Sequence, residues 1–441
     1  MSAIVDDNNL KGKREMNFKE IKDLHACPCD ESKMYDKFLI PVKTQGMWVW
    51  FDGDDEPYLD LVLNYCSVNF GHCYQPVTEI VNQVTKKLDQ IHSFHSKDKL
   101  ELSRYLSNKV SRDINYKVYF NVGGSAAVAD AIRLCRYATG KKYMISFDGS
   151  FHGVSAAAAS VTDDRLVDKA QYGIPIADYN LSVPFPSLHN DVSVQACMEK
   201  IQDCIDQYDV AGVIVEPIQG AGGFVIPKDD FLSHLSNICT KNGVKLVIDE
   251  IQVGFGRAGG FFVFQDYGVK NPDVVLLSKS IAGGYFPVSA VIAKPELYES
   301  VPSRGTAFQT TFNNSTMGLS IANQLMKLVE EKKLFDGIPE KGKYFLKKLD
   351  FINKSPCTAD LRGRGLALAF DIIDPKTQKP SPDLAKAFMA TCLESRVITY
   401  ACGVNFNSVK IIPPIVVTKQ ETDLIADRLE SCLYLFHKKV C

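Results

Sequence analysis

A lysine and an aspartate stand where this chain is best equipped for chemistry. Lys279 closes the run Val274-Val275-Leu276-Leu277-Ser278-Lys279 and precedes Gly283-Gly284, while the earlier run Val247-Ile248-Asp249-Glu250 ends in carboxylates. Each reads as a buried apolar strand delivering an ionisable side chain at its carboxyl end, the end at which open α/β sheets bind ligands. A lysine that meets a carboxylate there, beside glycine turns, fits an aldehyde cofactor held as a Schiff base, with the carboxylate keeping a ring nitrogen protonated. Taken singly, Lys279 reads as a snorkelling strand-end lysine and Asp249 as a helix N-cap. The surrounding pattern favours the chemical reading.

Gly123-Gly124-Ser125 lies between the predicted strand Val118–Phe120 and the predicted helix Ala126–Tyr137. Free N–H groups at a helix start attract a phosphate, and glycine lets it approach closely. The turn lacks the GxGxxG and GxxxxGK[ST] spacings of nucleotide binders, and alone it is only a turn. Phe147-Asp148-Gly149-Ser150-Phe151-His152-Gly153 follows the next predicted strand. Phe151 is suited to stack on a planar ring, although a core aromatic beside a loop histidine is the default in isolation.

The ordered set Phe151-His152-Gly153, Glu216-Pro217-Ile218-Gln219-Gly220, Asp249-Glu250-Ile251-Gln252-Val253-Gly254-Phe255-Gly256-Arg257 and Leu277-Ser278-Lys279 resembles the class III, ω-type pyridoxal-phosphate aminotransferases. Tyr58-Leu59-Asp60, Asn69-Phe70-Gly71-His72-Cys73, Thr311-Phe312, Arg362-Gly363-Arg364-Gly365-Leu366 and Pro413-Pro414 carry the resemblance from about residue 45 to the end. The resemblance implies that Lys279 forms the Schiff base with pyridoxal 5'-phosphate and later shuttles a proton. Asp249 would pair with the pyridinium nitrogen and Gln252 with the phenolic oxygen. Phe151 would stack on the ring, with His152 and Glu216 also among the cofactor-binding residues. Gly124 and Ser125 would hold the phosphate from one subunit and Thr311 from the other, so a homodimer with shared sites is expected. The expected partners are a small amino donor and a 2-oxo acid acceptor.

Several positions depart from the family pattern. Lys410 stands where the family usually has its substrate-carboxylate arginine, and a lysine lacks the bidentate fork. Diaminobutyrate aminotransferases also tend to carry lysine there. Ala221 replaces a glutamate that in many relatives masks that arginine. Trp48 and Val154 occupy places where ornithine aminotransferases have a tyrosine and an arginine, while Tyr65 matches an aromatic of their pocket. Trp48, Tyr65, Val154, Ala221 and Lys410 are therefore the candidate substrate residues. The donor expected is a diamino or ω-amino (or α-amino) compound other than ornithine. The alternative is an epimerase, decarboxylase or lyase on the same fold. A non-catalytic binding module is disfavoured by the joint presence of Lys279, Asp249, Gln252 and Thr311.

The elements that must position these residues follow from hydrophobic spacing. The chain has 441 residues, 46% hydrophobic and 23% charged, with 50 basic and 52 acidic side chains for a net charge of −2. That composition suits a soluble globular protein and gives no sign of a nucleic-acid or membrane-surface partner. Thirteen cysteines without paired spacing read as free thiols in a reducing cytosol, and the Cys27-x-Cys29 pair lacks the companions of a zinc site, so no metal is expected. Residues 1–20 resemble no signal peptide, no window is apolar enough to span a membrane, and a cytoplasmic location is expected. After a polar lead-in of about 35 residues, Trp48–Val62 reads as a β-hairpin and Pro76–Val110 has helical spacing. Strand and helix then alternate through Tyr143–Phe147, Val213–Val215, Phe231–Lys241, Lys245–Ile248 and Val274–Leu277. A long helix is expected over Ser315–Lys332, then strands around Ala359–Ile372, then helix, strand and helix. The predicted fold class is α/β, a mostly parallel sheet of the seven-stranded type flanked by helices, with a smaller α+β domain built from the two chain ends. The expected divisions are 1–75 (arm and part of the small domain), 76–325 (cofactor-binding large domain) and 326–441 (small domain).

Overall fold

A computed structural model describes residues 39–91, 95–163, 165–169, 179–302 and 308–440. The polar lead-in and the Cys27–Cys29 pair lie outside the described residues. Strands β1 (Pro41–Gln45), β2 (Trp48–Phe51) and β3 (Tyr58–Asp60) form an antiparallel meander, whose second turn is the hairpin expected from the Gly53-containing acidic segment. The helical spacing of 76–110 resolves into two helices, α1 (Gln75–Thr85) and α2 (Lys97–Val110), the second capped by the Ser96 hydroxyl.

The central layer is built from β4 (Lys117–Asn121), β5 (Tyr143–Phe147), β6 (Asn180–Val183), β7 (Val210–Val215), β8 (Lys245–Asp249), β9 (Val274–Leu277) and β10 (Ser289–Ala293). They lie in the order β4-β10-β9-β8-β7-β5-β6. All pairings are parallel except those of β10, which runs antiparallel to both neighbours. The seven-stranded, mostly parallel sheet is the expected one. Every residue of β7 and β9 is buried, as a strand covered on both faces requires. Alternate side chains go to opposite faces: Ile214, Val247 and Leu276 pack with α3 (Gly124–Thr139), whereas Val213, Ile248 and Val275 join the main core. Crossovers on this layer include α4 (Val194–Gln207) and α5 (Phe231–Asn242).

Helix α6 (Thr316–Glu331) starts at Ser315, whose side chain accepts from the Gly318 N–H, so the expected long helix is present nearly to the residue. After α7 (Ile338–Lys348) come β11 (Thr358–Arg364), β12 (Ala367–Ile372), α8 (Pro382–Glu394), β13 (Val397–Ile398), β14 (Tyr400–Cys402), β15 (Ser408–Ile411) and α9 (Lys419–Val440). One sheet has the order β11-β12-β15-β14. Strand β13 instead adds in parallel to β3, so a late segment completes the first sheet. No helix among the described residues is long and apolar enough to cross a membrane.

Candidate active site

Neighbouring strands β8 and β9 end beside one another, with Asp249 the last residue of β8 and Lys279 two positions beyond β9. The backbone at Lys279 is left-handed, with φ 47°. A non-glycine residue tolerates that conformation only where its surroundings impose it, and such strain gathers at functional sites. Lys279 and Asp249 line one cavity of about 170 Å³ with Gly124, Ser125, Phe151, His152, Gly153, Glu216, Ile251 and Gln252. Eight of the nine sequence-predicted cofactor residues meet here; Thr311 does not line the cavity and is exposed.

The acid is held by two bonds. Asp249 Oδ2 meets His152 Nδ1 at 2.8 Å, and Asp249 Oδ1 accepts from the Ile251 N–H at 3.0 Å. His152 is buried and its Nε2 has no hydrogen-bond partner among the described residues. The tie between His152 and Asp249 is the functional contact that sequence reasoning missed. The loop histidine gave a weak signal, but its partner lies 97 positions away.

Glu216 joins two loops at the cavity wall. One carboxylate oxygen accepts from the Phe151 N–H at 2.9 Å and the other from the Gly220 N–H at 2.8 Å. Burial raises the Glu216 carboxyl above the usual carboxylate range, against the lowering effects of His152 and those two N–H groups. Burial pushes the Lys279 ammonium below the ordinary lysine value, and the charge of Lys410 pushes the same way, while Cys66, Glu216 and Asp249 oppose it. An amine so placed is a better nucleophile and base near neutrality than an exposed lysine.

The opposite wall has the features of an anion cradle. Helix α3 opens at Gly124, after Gly123 at φ 81°, so its first N–H groups lack intrahelical partners. A Cβ at Gly124 would sit 3.1 Å from the Ile251 side chain, and one at Gly153 would overlap the Ser125 hydroxyl. Small residues at these two positions keep the cradle open. A lysine amine, a carboxylate and a cradle of N–H groups around a cavity of this size fit a phosphorylated pyridine aldehyde.

The five candidate substrate residues are placed less uniformly, and none of them lines this cavity. The Tyr65 carbonyl accepts from the Gln252 amide at 3.2 Å, and the Tyr65 ring meets Tyr400 edge-on at 5.1 Å. Lys410 is buried, with Nζ 4.8 Å from the centre of the Phe224 ring. The Ala221 carbonyl accepts from the Gly403 N–H at 2.9 Å. Trp48 is half-buried in β2, and Val154 is 59% exposed, its N–H donating to Ser125 Oγ at 3.2 Å.

Residues 31–433 match the family described as aminotransferase class-III. A 5-aminovalerate aminotransferase of Pseudomonas aeruginosa is 27% identical over 405 residues, covering 89% of this chain and 93% of that protein. An acetylornithine aminotransferase of Methanopyrus kandleri is 32% identical over 348 residues, covering 78% and 84%. Among solved structures, an (S)-enantioselective omega-transaminase of Thermomicrobium roseum superposes with a TM-score of 0.86 at 23% identity, covering 96% of this chain and all of that one (100%), and so shares its fold.

Proposed function

The chain belongs to the class III aminotransferases, and from that premise we propose which of its residues carry out the transfer and on what. Membership makes it a pyridoxal-phosphate-dependent transferase that moves an amino group to a 2-oxo acid. The observation that carries the residue assignment is the meeting of Lys279 and Asp249 at adjacent strand ends, across one cavity from the start of α3.

When bound, pyridoxal phosphate supplies an electron sink that acidifies the Cα–H of an attached amine. Lys279 would hold its aldehyde carbon, and the depressed ammonium frees Nζ to take up and return the substrate proton. Asp249, oriented by His152 and the Ile251 N–H, would keep a proton on the ring nitrogen. Gly124 and Ser125 would receive the phosphate, Phe151 would lie against the ring, and Gln252 would reach the phenolic oxygen. Glu216 fixes the backbone on either side of the ring position through Phe151 and Gly220.

The donor is an ω-amino or diamino compound, a reading supported by the activities for which the two relatives are named and by Lys410 as a buried cation that acts on Lys279. Trp48, Tyr65, Val154 and Ala221 would shape the remainder of the pocket. Exposed Thr311 and 57%-exposed Phe312 support a homodimer in which Thr311 reaches the partner's phosphate site. Pairing of β13 with β3 supports a division into an arm with part of the small domain (1–75), a large domain (76–325) and a small domain (326–441). The free thiols among the described cysteines support a cytoplasmic location.

A half-reaction tests the assignment. Holoenzyme mixed with a panel of ω-amino acids, diamines and α-amino acids, without acceptor, is expected to convert its absorbance to that of the pyridoxamine form fastest with the ω-amino and diamino compounds. Preference for α-amino acids alone would overturn the donor reading. Borohydride reduction should fix the cofactor on Lys279, and its attachment elsewhere in a peptide map would overturn the site.

A further inference from the structure

Glu250 is 1% exposed and sits directly after Asp249. Its Oε1 accepts from the Phe264 N–H at 2.8 Å, whereas Oε2 is buried with no hydrogen-bond partner among the described residues. Gly254 packs against that second oxygen so closely that a Cβ there would lie 2.9 Å from it. An ionised carboxylate with one unbonded oxygen in such a place is costly, and a neutral carboxyl costs less. Residues 251–263 leave from Glu250 and return to it at Phe264, and this closed loop carries Ile251 and Gln252 at the cavity.

We propose that Glu250 is a positioning residue acting as a neutral carboxylic acid, which closes residues 251–263 into a ring and so holds Gln252 against the cofactor cavity. It does not line that cavity, and its role toward Gln252 rests on the site assignment above. Burial pushes its carboxyl from an ordinary 4.5 up to about 8. Asp249 on its own strand and Asp266 on the short helix Phe264–Tyr267 push the same way, and the N–H groups of Phe264 and Val263 oppose them. The cations of neighbouring segments are engaged elsewhere: Arg257 with Asn69, Leu366 and Pro413, and Arg364 with Asp266. Because the folded value lies above the unfolded one, the folded chain keeps a proton that the unfolded chain has released between 4.5 and about 8. Stability from this group therefore falls as pH rises through that window and stays low above it, where the ring is weakened.

Glu250→Gln keeps the shape and removes the ionisation. Melting temperatures of the two holoenzymes, followed from about pH 5 to pH 9, are expected to diverge, wild type losing several degrees relative to the variant. After gel filtration at the alkaline end, wild type is expected to have lost several-fold more cofactor absorbance than the variant. A melting-temperature difference that does not change with pH overturns the neutral acid, independently of what the enzyme transfers. Divergent melting with equal cofactor loss overturns the positioning of Gln252. If Glu250→Gln does not fold, Asp266→Asn removes one of the repelling charges, lowers the folded value and should make the decline end at lower pH than in wild type. An unmoved decline overturns the proposal.

Discussion

Lys279, the proposed Schiff-base lysine, is carried at a cost to folding. It is half-buried at the cavity wall, and desolvation there drives its pKa down from the ordinary lysine value. The unfolded chain binds a proton there that the folded chain releases, so the folded state is penalised at neutral pH and gains stability as pH rises toward the ordinary lysine range. Replacing the amine by an apolar side chain of similar length removes the penalty. Apo-Lys279→Met is therefore expected to melt several degrees above apo-wild type near neutrality, with the gap closing as pH rises. Calorimetric scans across that pH range check it, and a constant gap would mean that the amine is solvated in the folded protein. The holoenzyme should reverse the order, because only wild type can hold the aldehyde covalently.

Elements place the residues, and the loop after β7 shows how narrowly. A Cβ on Gly220 would run into the Gln252 side-chain amide, 2.7 Å from its Cδ. That amide is the free end of a flexible side chain, so the fold can yield by moving Gln252 alone. Gly220→Ala should then cost little stability, about 1 kcal/mol or less in urea unfolding. It should lower kcat/KM by roughly 10²-fold through the displaced amide. A variant that loses stability and retains activity would contradict this division. The runs Lys245–Asp249 and Val274–Leu277 were legible because a strand buried on both faces is a continuous apolar run, and α6 was legible from its periodicity and its Ser315 start. β6, α4 and β10 were not anticipated: β6 carries Asn180 and Ser182 and buries only Val183, β10 dilutes its apolar run with Ser289 and two alanines, and α4 keeps just Cys197, Ile201 and Cys204 buried. Sheet order was not legible either, because β10 inserts antiparallel between β4 and β9, a pairing that no local pattern encodes. The residues that line the cavity were readable from their motifs, yet the bond of His152 to Asp249 exists only once β5 and β8 lie in one sheet.

At the scale of the whole molecule, one guanidinium ties distant segments to the site. Arg257 is 0% exposed and lies in the loop closed by Glu250. Its Nε and Nη2 donate to Asn69 Oδ1 at 3.1 and 2.7 Å, and its Nη1 donates to the carbonyls of Leu366 and Pro413 at 3.0 and 2.6 Å. The same Asn69 donates to Ser280 Oγ at 2.9 Å, one residue beyond Lys279. The β11–β12 turn, the segment after β15 and the segment before α1 thus converge on one planar cation. Five fixed N–H vectors can satisfy three separated acceptors, whereas one ammonium cannot span them. Arg257→Ala would leave these acceptors buried without donors and should cost about 3 kcal/mol or more in denaturant unfolding. Arg257→Lys should recover only a minor part of that loss, because it restores charge without geometry. Cofactor affinity should fall in both variants, since Asn69 loses the partner that orients it toward Ser280. Full recovery of stability by the lysine variant would show that charge, and not the fork of donors, joins the chain ends to the sheet.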